Sequence, residues 1–214
     1  MKMKKIISIS LIAALALTAC GNDNKAQDKT IKKAIEDYHA AHPLCMALPP
    51  AIDNGLTNVL GNDSVRFLKT DANGKRINTT AVKQMSILTS AGIYKKGKDI
   101  KQPEIGKKAW LAVYDLTEKG KQYTRNEQGN HALCIGTLTV KDIKWYSDPT
   151  ADNGVTVTRV AYQGKYRLHN WAEKILQQGN AKLHSDLGKI TEAQAVLVKT
   201  NKGWIDKREL KNNE

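Results

Sequence analysis

The chain has 214 residues, 41% of them hydrophobic and 26% charged, with a formal net charge of +13. That length and apolar share suit one domain or two small ones with a buried core, and they exclude a disordered tail and a multi-span membrane bundle. Only 5 prolines and a single phenylalanine, Phe67, are present, and no repeat or low-complexity tract breaks the chain.

The chain opens on the basic stretch MKMKK, followed by IISISLIAALAL and LTAC. The uncharged run from Ile6 to Ala19 covers 14 residues, short of the ~20 a membrane-spanning helix needs. An export signal over 1–19 is therefore expected, with no transmembrane helix in the mature chain. Its removal takes away Lys2, Lys4 and Lys5 and no acid, lowering the net charge from +13 to +10. Such an excess suits phosphates and anionic lipid surfaces. No dense basic block stands out, however, so a lysine-rich solvated surface is the simpler expectation.

Leu17-Thr18-Ala19-Cys20 resembles the lipobox of bacterial lipoproteins. The resemblance implies that Cys20 carries fatty acyl chains on its sulfur and new amino group, anchoring the protein to a membrane. Gly21 follows where Asp would retain the protein at the inner membrane, so the resemblance implies the outer membrane, with the domain facing the periplasm. Residues 20–29 read as a lipidated cysteine and a polar, flexible tether, and 30–214 as a periplasmic domain.

With Cys20 lipidated, Cys45 and Cys134 are the two thiols left in an oxidising space, and a disulfide between them is expected. No Cys-x-x-Cys is present to favour a redox pair.

Along the domain, Ile31, Ala34, Ile35, Tyr38 and Ala41 recur at helical spacing, with Asp28 or Thr30 as cap and Pro43 as stop. HPLCMALPP reads as a bend and the stretch to Ser64 as loop. VRFLKT is a short strand, and Asn73-Gly74 suits a type I′ turn. Thr79 or Thr80 caps a helix whose apolar face is Val82, Met85, Leu88 and Ala91, ended by Gly92. A lysine-rich excursion leads to the strand AWLAVYDL, after which Thr117 caps a short helix. Two long alternating runs, HALCIGTLTVKDIKWYS and GVTVTRVAYQGKYRLHN, flank a turn. Asn170 caps the helix WAEKILQQ, and AQAVLVKT with GWID forms a closing hairpin. The expected class is α+β: N-terminal helices and a helix/hairpin segment packed on an antiparallel sheet over about 131–206.

Searching for chemistry, His39, His42 and Cys45 have ligand-like spacing, but Pro43 interrupts them and Cys45 has Cys134 as partner, so no metal site is expected. DANG begins like a calcium loop, yet its twelfth position, Val82, lacks the required carboxylate. No serine elbow, zincin motif or phosphate-binding glycine loop occurs. His184 beside Ser185 and Asp186 is sequence adjacency alone. No catalytic residue and no cofactor is assigned. Trp145, Tyr146, Tyr162, Tyr166, Trp171 and Trp204 are expected chiefly in the core, with any exposed member a ligand platform.

The stretch from about Thr79 to Tyr123, with LTSAGIY, a basic hairpin tip and YDLTEKGKQY, resembles the last helix, wing and exit of winged-helix regulators. The multiple-antibiotic-resistance and PadR-like groups are the families concerned. In them this helix reads bases in the major groove. Here it offers Lys83, Gln84, Ser86, Thr89 and Ser90, with one basic residue among them. An exported lipoprotein meets no chromosome, so nucleic acid is not the expected partner. Lys95, Lys96, Lys98 and Lys101 in the wing are the candidate binding surface.

HPLC, LCIGTLTV, VTRVAYQGKYR, WAEK and AVLVKTNKGW also resemble a group of uncharacterised proteobacterial lipoproteins, which implies a domain layout and no activity. The expectation is a non-enzymatic, lipid-anchored binding or accessory domain for an unknown envelope component. The rival readings are an envelope hydrolase or transferase and a polyanion-binding module using the basic wing.

Overall fold

A computed structural model describes residues 22–52, 59–127 and 130–210. The export signal, Cys20 and part of the loop before Ser64 lie outside the described residues. In chain order the first half holds α1 (Asn22–Ala41), β1 (Leu44–Met46), β2 (Ser64–Thr70), α2 (Thr79–Ser90), β3 (Tyr94–Lys96), β4 (Ile100–Lys101), β5 (Trp110–Leu116) and α3 (Glu118–Lys121). The second half adds β6 (Thr124–Glu127), β7 (Asn130–Tyr146), β8 (Thr150–Asp152), β9 (Val155–Leu168), α4 (Asn170–Gly179), α5 (Ala181–Leu187), β10 (Thr191–Thr200), β11 (Gly203–Asp206) and α6 (Lys207–Leu210). The class is α+β, with antiparallel pairing throughout both sheets.

The larger sheet runs β1-β7-β9-β10-β11, with β6 paired to β7 and β8 to β9. Period-two alternation gives it two unlike faces. Val160 opposite Ala195 and Tyr162 opposite Ala193 turn toward α1, whereas Arg159 opposite Val196 and Ala161 opposite Gln194 turn away. Ile31, Ala34 and Ile35 of α1 are buried against that first face with Leu138, Val140 and Leu197. Helix α1 begins at Asn22, so the polar segment expected as a tether continues the helix from residue 22. Lys25, Ala26 and Gln27 are good helix formers, and the packed half downstream supplies the nucleus.

The bend HPLCMALPP contains a three-residue strand, too short to betray itself by periodicity. Strand β1 sets Cys45 directly opposite Cys134 on β7. The two form a disulfide closing a sequence separation of 89 residues, worth ~4–5 kcal/mol by chain entropy.

The smaller sheet runs β2-β5-β3, and β4 continues the β3 edge of β5 after a break over residues 97–99. Helix α2 covers one face of it. Met85 and Leu88 are buried with Val65, Phe67, Tyr114 and, from α4, Ile175 and Leu176. Leu133 and Ile135 of β7 enter the same cluster and join the two sheets. Helix α2 ends as Gly92 predicts. Gly92 takes φ +74°, its N–H donates to Thr89 O, and Ile93 N–H donates to Leu88 O, a Schellman closure. Thr117 caps α3 by accepting from Gly120 N–H at 2.9 Å, and its own hydroxyl donates to Gly92 O at 2.6 Å. Gly120 sits so close to β3 that a Cβ there would lie 2.2 Å from Ile93 O.

Three local expectations change. Asn73-Gly74 is not a type I′ turn, because Gly74 alone has positive φ. Asp71 instead closes the loop, its Oδ1 accepting from Asn73 N–H and Lys75 N–H at 2.9 Å each. Helix α2 is preceded by Asn78 in the left-handed region, not capped by a threonine. His169, not Asn170, occupies the cap position of α4.

The winged-helix likeness also narrows. DNA-reading winged helices present a helix-turn-helix pair, but α2 is the one helix between β2 and β3. The helix packed against α2 is α4, from far downstream. Gln84, expected on the exposed face, is buried. Its Oε1 accepts from Ala51 N–H at 2.8 Å and its Nε2 donates to Ile175 O at 3.0 Å.

Candidate functional site

Strand β2 ends at Thr70, and the Asp71 loop turns the chain back toward α2. Ile77 N–H donates to Lys69 O at 3.0 Å, and Asn78 Nδ2 donates to Leu68 O at 2.8 Å. These bonds pin the start of α2 against the end of β2. Between them lies a cleft of about 490 Å³, lined by Lys69, Thr70, Arg76, Ile77, Thr79, Val82, Lys83 and Lys96.

Four of those side chains are cations, drawn from β2, the returning loop, α2 and β3. Among the described residues one carboxylate pairs with them. Lys69 Nζ donates to Asp99 Oδ2, and Lys96 Nζ lies 3.9 Å from the same oxygen. Asp99, on the β3–β4 connection, thus ties the two strands flanking β5. Its Oδ1 is buried without a hydrogen-bond partner among the described residues. Burial, and secondarily the charge of Asp99, hold the Tyr114 hydroxyl above its ordinary pKa. Arg76 and Lys83 have no acidic partner among the described residues, and the first turn of α2 carries no acid.

Of the wing lysines, Lys96 lines the cleft. Lys95, the preceding residue on β3, follows the pleat to the other face. Lys98 and Lys101 are exposed along the β3–β4 edge. Lys69 and Arg76 were not legible as site residues, because they are 7 positions apart in unlike contexts and form no local motif.

The histidines part company. His39 Nε2 lies 3.2 Å from Tyr162 Oη, and His42 Nε2 lies 3.1 Å from Glu209 Oε1, while Cys45 is in the disulfide. Burial, and secondarily the Arg208 charge, lower the His39 pKa below its usual value. Arg208 pairs with the buried carboxylate of Asp206 at 2.7 Å and covers the Tyr38 ring at 3.8 Å. These contacts fasten α6 to α1. His169 stacks on Trp171, and burial lowers its pKa. Asp186, two residues after His184, pairs with Lys189 at 2.6 Å. Among the described residues no three His, Cys, Asp or Glu side chains gather as a metal-ligand set.

Trp145 is 51% exposed, whereas Tyr162 is buried and Trp171 and Trp204 pack against the two cores. A second cleft of about 470 Å³ lies between α2 and α4, with Lys119 and Lys174 on its rim. Lys119 is already engaged, donating to Ala91 O at 2.7 Å. In the cationic cleft, charged side chains from four elements converge, and of these Arg76 and Lys83 have no acidic partner among the described residues.

The fold defines an α+β domain of two antiparallel sheets bridged by α2 and α4. No protein-family model, curated protein or solved structure matches the chain.

Proposed function

We propose that this chain is a lipid-anchored cell-envelope protein whose domain is a binding or accessory module facing the periplasm, and that it meets an anionic partner on its smaller-sheet side. The N-terminal pattern ending at Cys20 supports the anchor. One observation carries the contact surface: Lys69, Arg76, Lys83 and Lys96 line one cleft, and among the described residues the ion pairs of these side chains are with Asp99. Lys98 and Lys101 extend the same sign along the edge. Among the described residues no helix is long and apolar enough to cross a membrane.

Metabolic labelling with radioactive palmitate tests the anchor. The wild-type chain should carry label and sediment with membranes, and Cys20→Ala should lose both. Unlabelled protein that still sediments with membranes refutes the anchor. Retention of the detergent-solubilised full chain on heparin tests the contact surface. Elution should fall to lower salt in a Lys96→Ala/Lys98→Ala/Lys101→Ala variant, and unchanged elution refutes that surface.

A further inference from the structure

We propose that the cleft between β2, β3 and the first turn of α2 binds the phosphate group of a phosphate ester, with Arg76 and Lys83 as principal contacts and Lys69 and Lys96 completing the cradle. The inference deepens the binding-module reading and rests on it.

Charge comes first. The cleft is lined by four cations and no acid, and the Asp99 carboxylate, which contacts Lys69 and Lys96, offsets one of their charges. Like charges held this close repel, and a single carboxylate would neutralise only part of the excess. A phosphomonoester or pyrophosphate brings about two negative charges or more, with several acceptor oxygens on one centre.

Arg76 offers a planar fork that engages two phosphate oxygens at once, while the lysines act as mobile point charges. The Thr79 hydroxyl, exposed at the cleft, adds a neutral donor. Thr70 is spent, its hydroxyl donating to Lys108 O at 2.8 Å and accepting from Trp110 N–H at 2.9 Å. The N-terminal dipole of the 12-residue α2 adds the same sign, and no acidic side chain of its own opposes it.

Size and lining point to an ester, not a bare ion. At about 490 Å³ the cleft falls in the ~300–1,000 Å³ range of small-molecule sites. Ile77 and Val82 contribute apolar wall beside the cations, suited to the uncharged part of such a ligand.

Asp99 gives the inference a test that loss of fold cannot imitate. Its carboxylate holds Lys69 and competes with any bound anion for Lys69 and Lys96. Removing that charge should tighten anion binding, whereas removing cations should weaken it.

The full chain in non-ionic detergent micelles is titrated with pyrophosphate, with acetate at matched ionic strength as control, by isothermal calorimetry. Saturable 1:1 pyrophosphate binding is expected. Affinity should fall about tenfold in Arg76→Ala and in Lys83→Ala, a change of ~1.4 kcal/mol each, and rise several-fold in Asp99→Asn. Acetate should give no saturable heat. Short-chain phosphatidic acid doped into the micelles identifies the source. Competition with pyrophosphate assigns a lipid headgroup, and its absence a water-soluble ester. The inference is overturned by absence of saturable pyrophosphate binding, or by affinities that none of the three variants changes. If heparin retention still responds to the edge lysines in that case, the binding-module reading survives and the phosphate site alone is lost.

Discussion

Gln84 offers the sharpest test of how α2 is used. If α2 were a surface-reading helix, Gln84 would face solvent and its replacement would cost a few tenths of a kcal/mol. In the fold it is 4% exposed and joins three segments. It accepts from Ala51 N–H, donates to Ile175 O, and packs so near Gly179 that a Cβ there would stand 2.3 Å from Nε2. Gln84→Ala removes two hydrogen bonds, leaves the Ala51 N–H without its partner and opens a void. At ~1–1.5 kcal/mol per bond plus the cavity, the expected loss is ~2–4 kcal/mol. For a domain of this size that is a fall in Tm of about 5–15 °C.

Gln84→Glu separates burial from shape. The new carboxyl can accept from Ala51 N–H in either protonation state but can donate to Ile175 O only when protonated. Burial raises its folded pKa above the unfolded value of ~4.3. A raised folded pKa gives stability that is complete below the unfolded pKa and lost as pH rises through the folded pKa. The deficit relative to wild type should therefore be small near pH 4 and grow toward pH 8. Urea unfolding followed by tryptophan fluorescence at both pH values measures it. A cost under ~1 kcal/mol for Gln84→Ala, or a pH-independent deficit for Gln84→Glu, would refute the buried placement.

Two further outcomes can be checked the same way. Gly120→Ala should cost about 1–3 kcal/mol or more, since its Cβ meets the backbone oxygen of Ile93 at 2.2 Å; an unchanged urea midpoint would contradict the close approach of α3 to β3. Cys45→Ala/Cys134→Ala should lower stability by up to ~4–5 kcal/mol, and non-reducing peptide mapping of the exported wild-type chain should recover the Cys45–Cys134 peptide pair. Two free thiols there would contradict it.

The sequence by itself determined what is local. Helical spacing in Ile31, Ala34 and Ile35 and two-residue alternation in the long runs write their burial directly into the chain. Gly92 and Thr117 marked the end of α2 and the start of α3 because caps depend on a few adjacent residues. The Cys45–Cys134 pair followed from there being two thiols once Cys20 was set aside. Tertiary structure decided the rest. A three-residue β1 has no pattern of its own and exists because β7 offers it an edge. Gln84 is polar, so its burial depended on a carbonyl 91 positions away meeting its amide. Lys96 was legible as a wing lysine and Lys83 as the one basic residue of its helix, but Lys69 and Arg76 are ordinary surface residues in sequence. The four become one electrostatic site because β2, the Asp71 loop, α2 and β3 bring their charges into a single cleft, and charge acts through space irrespective of chain order.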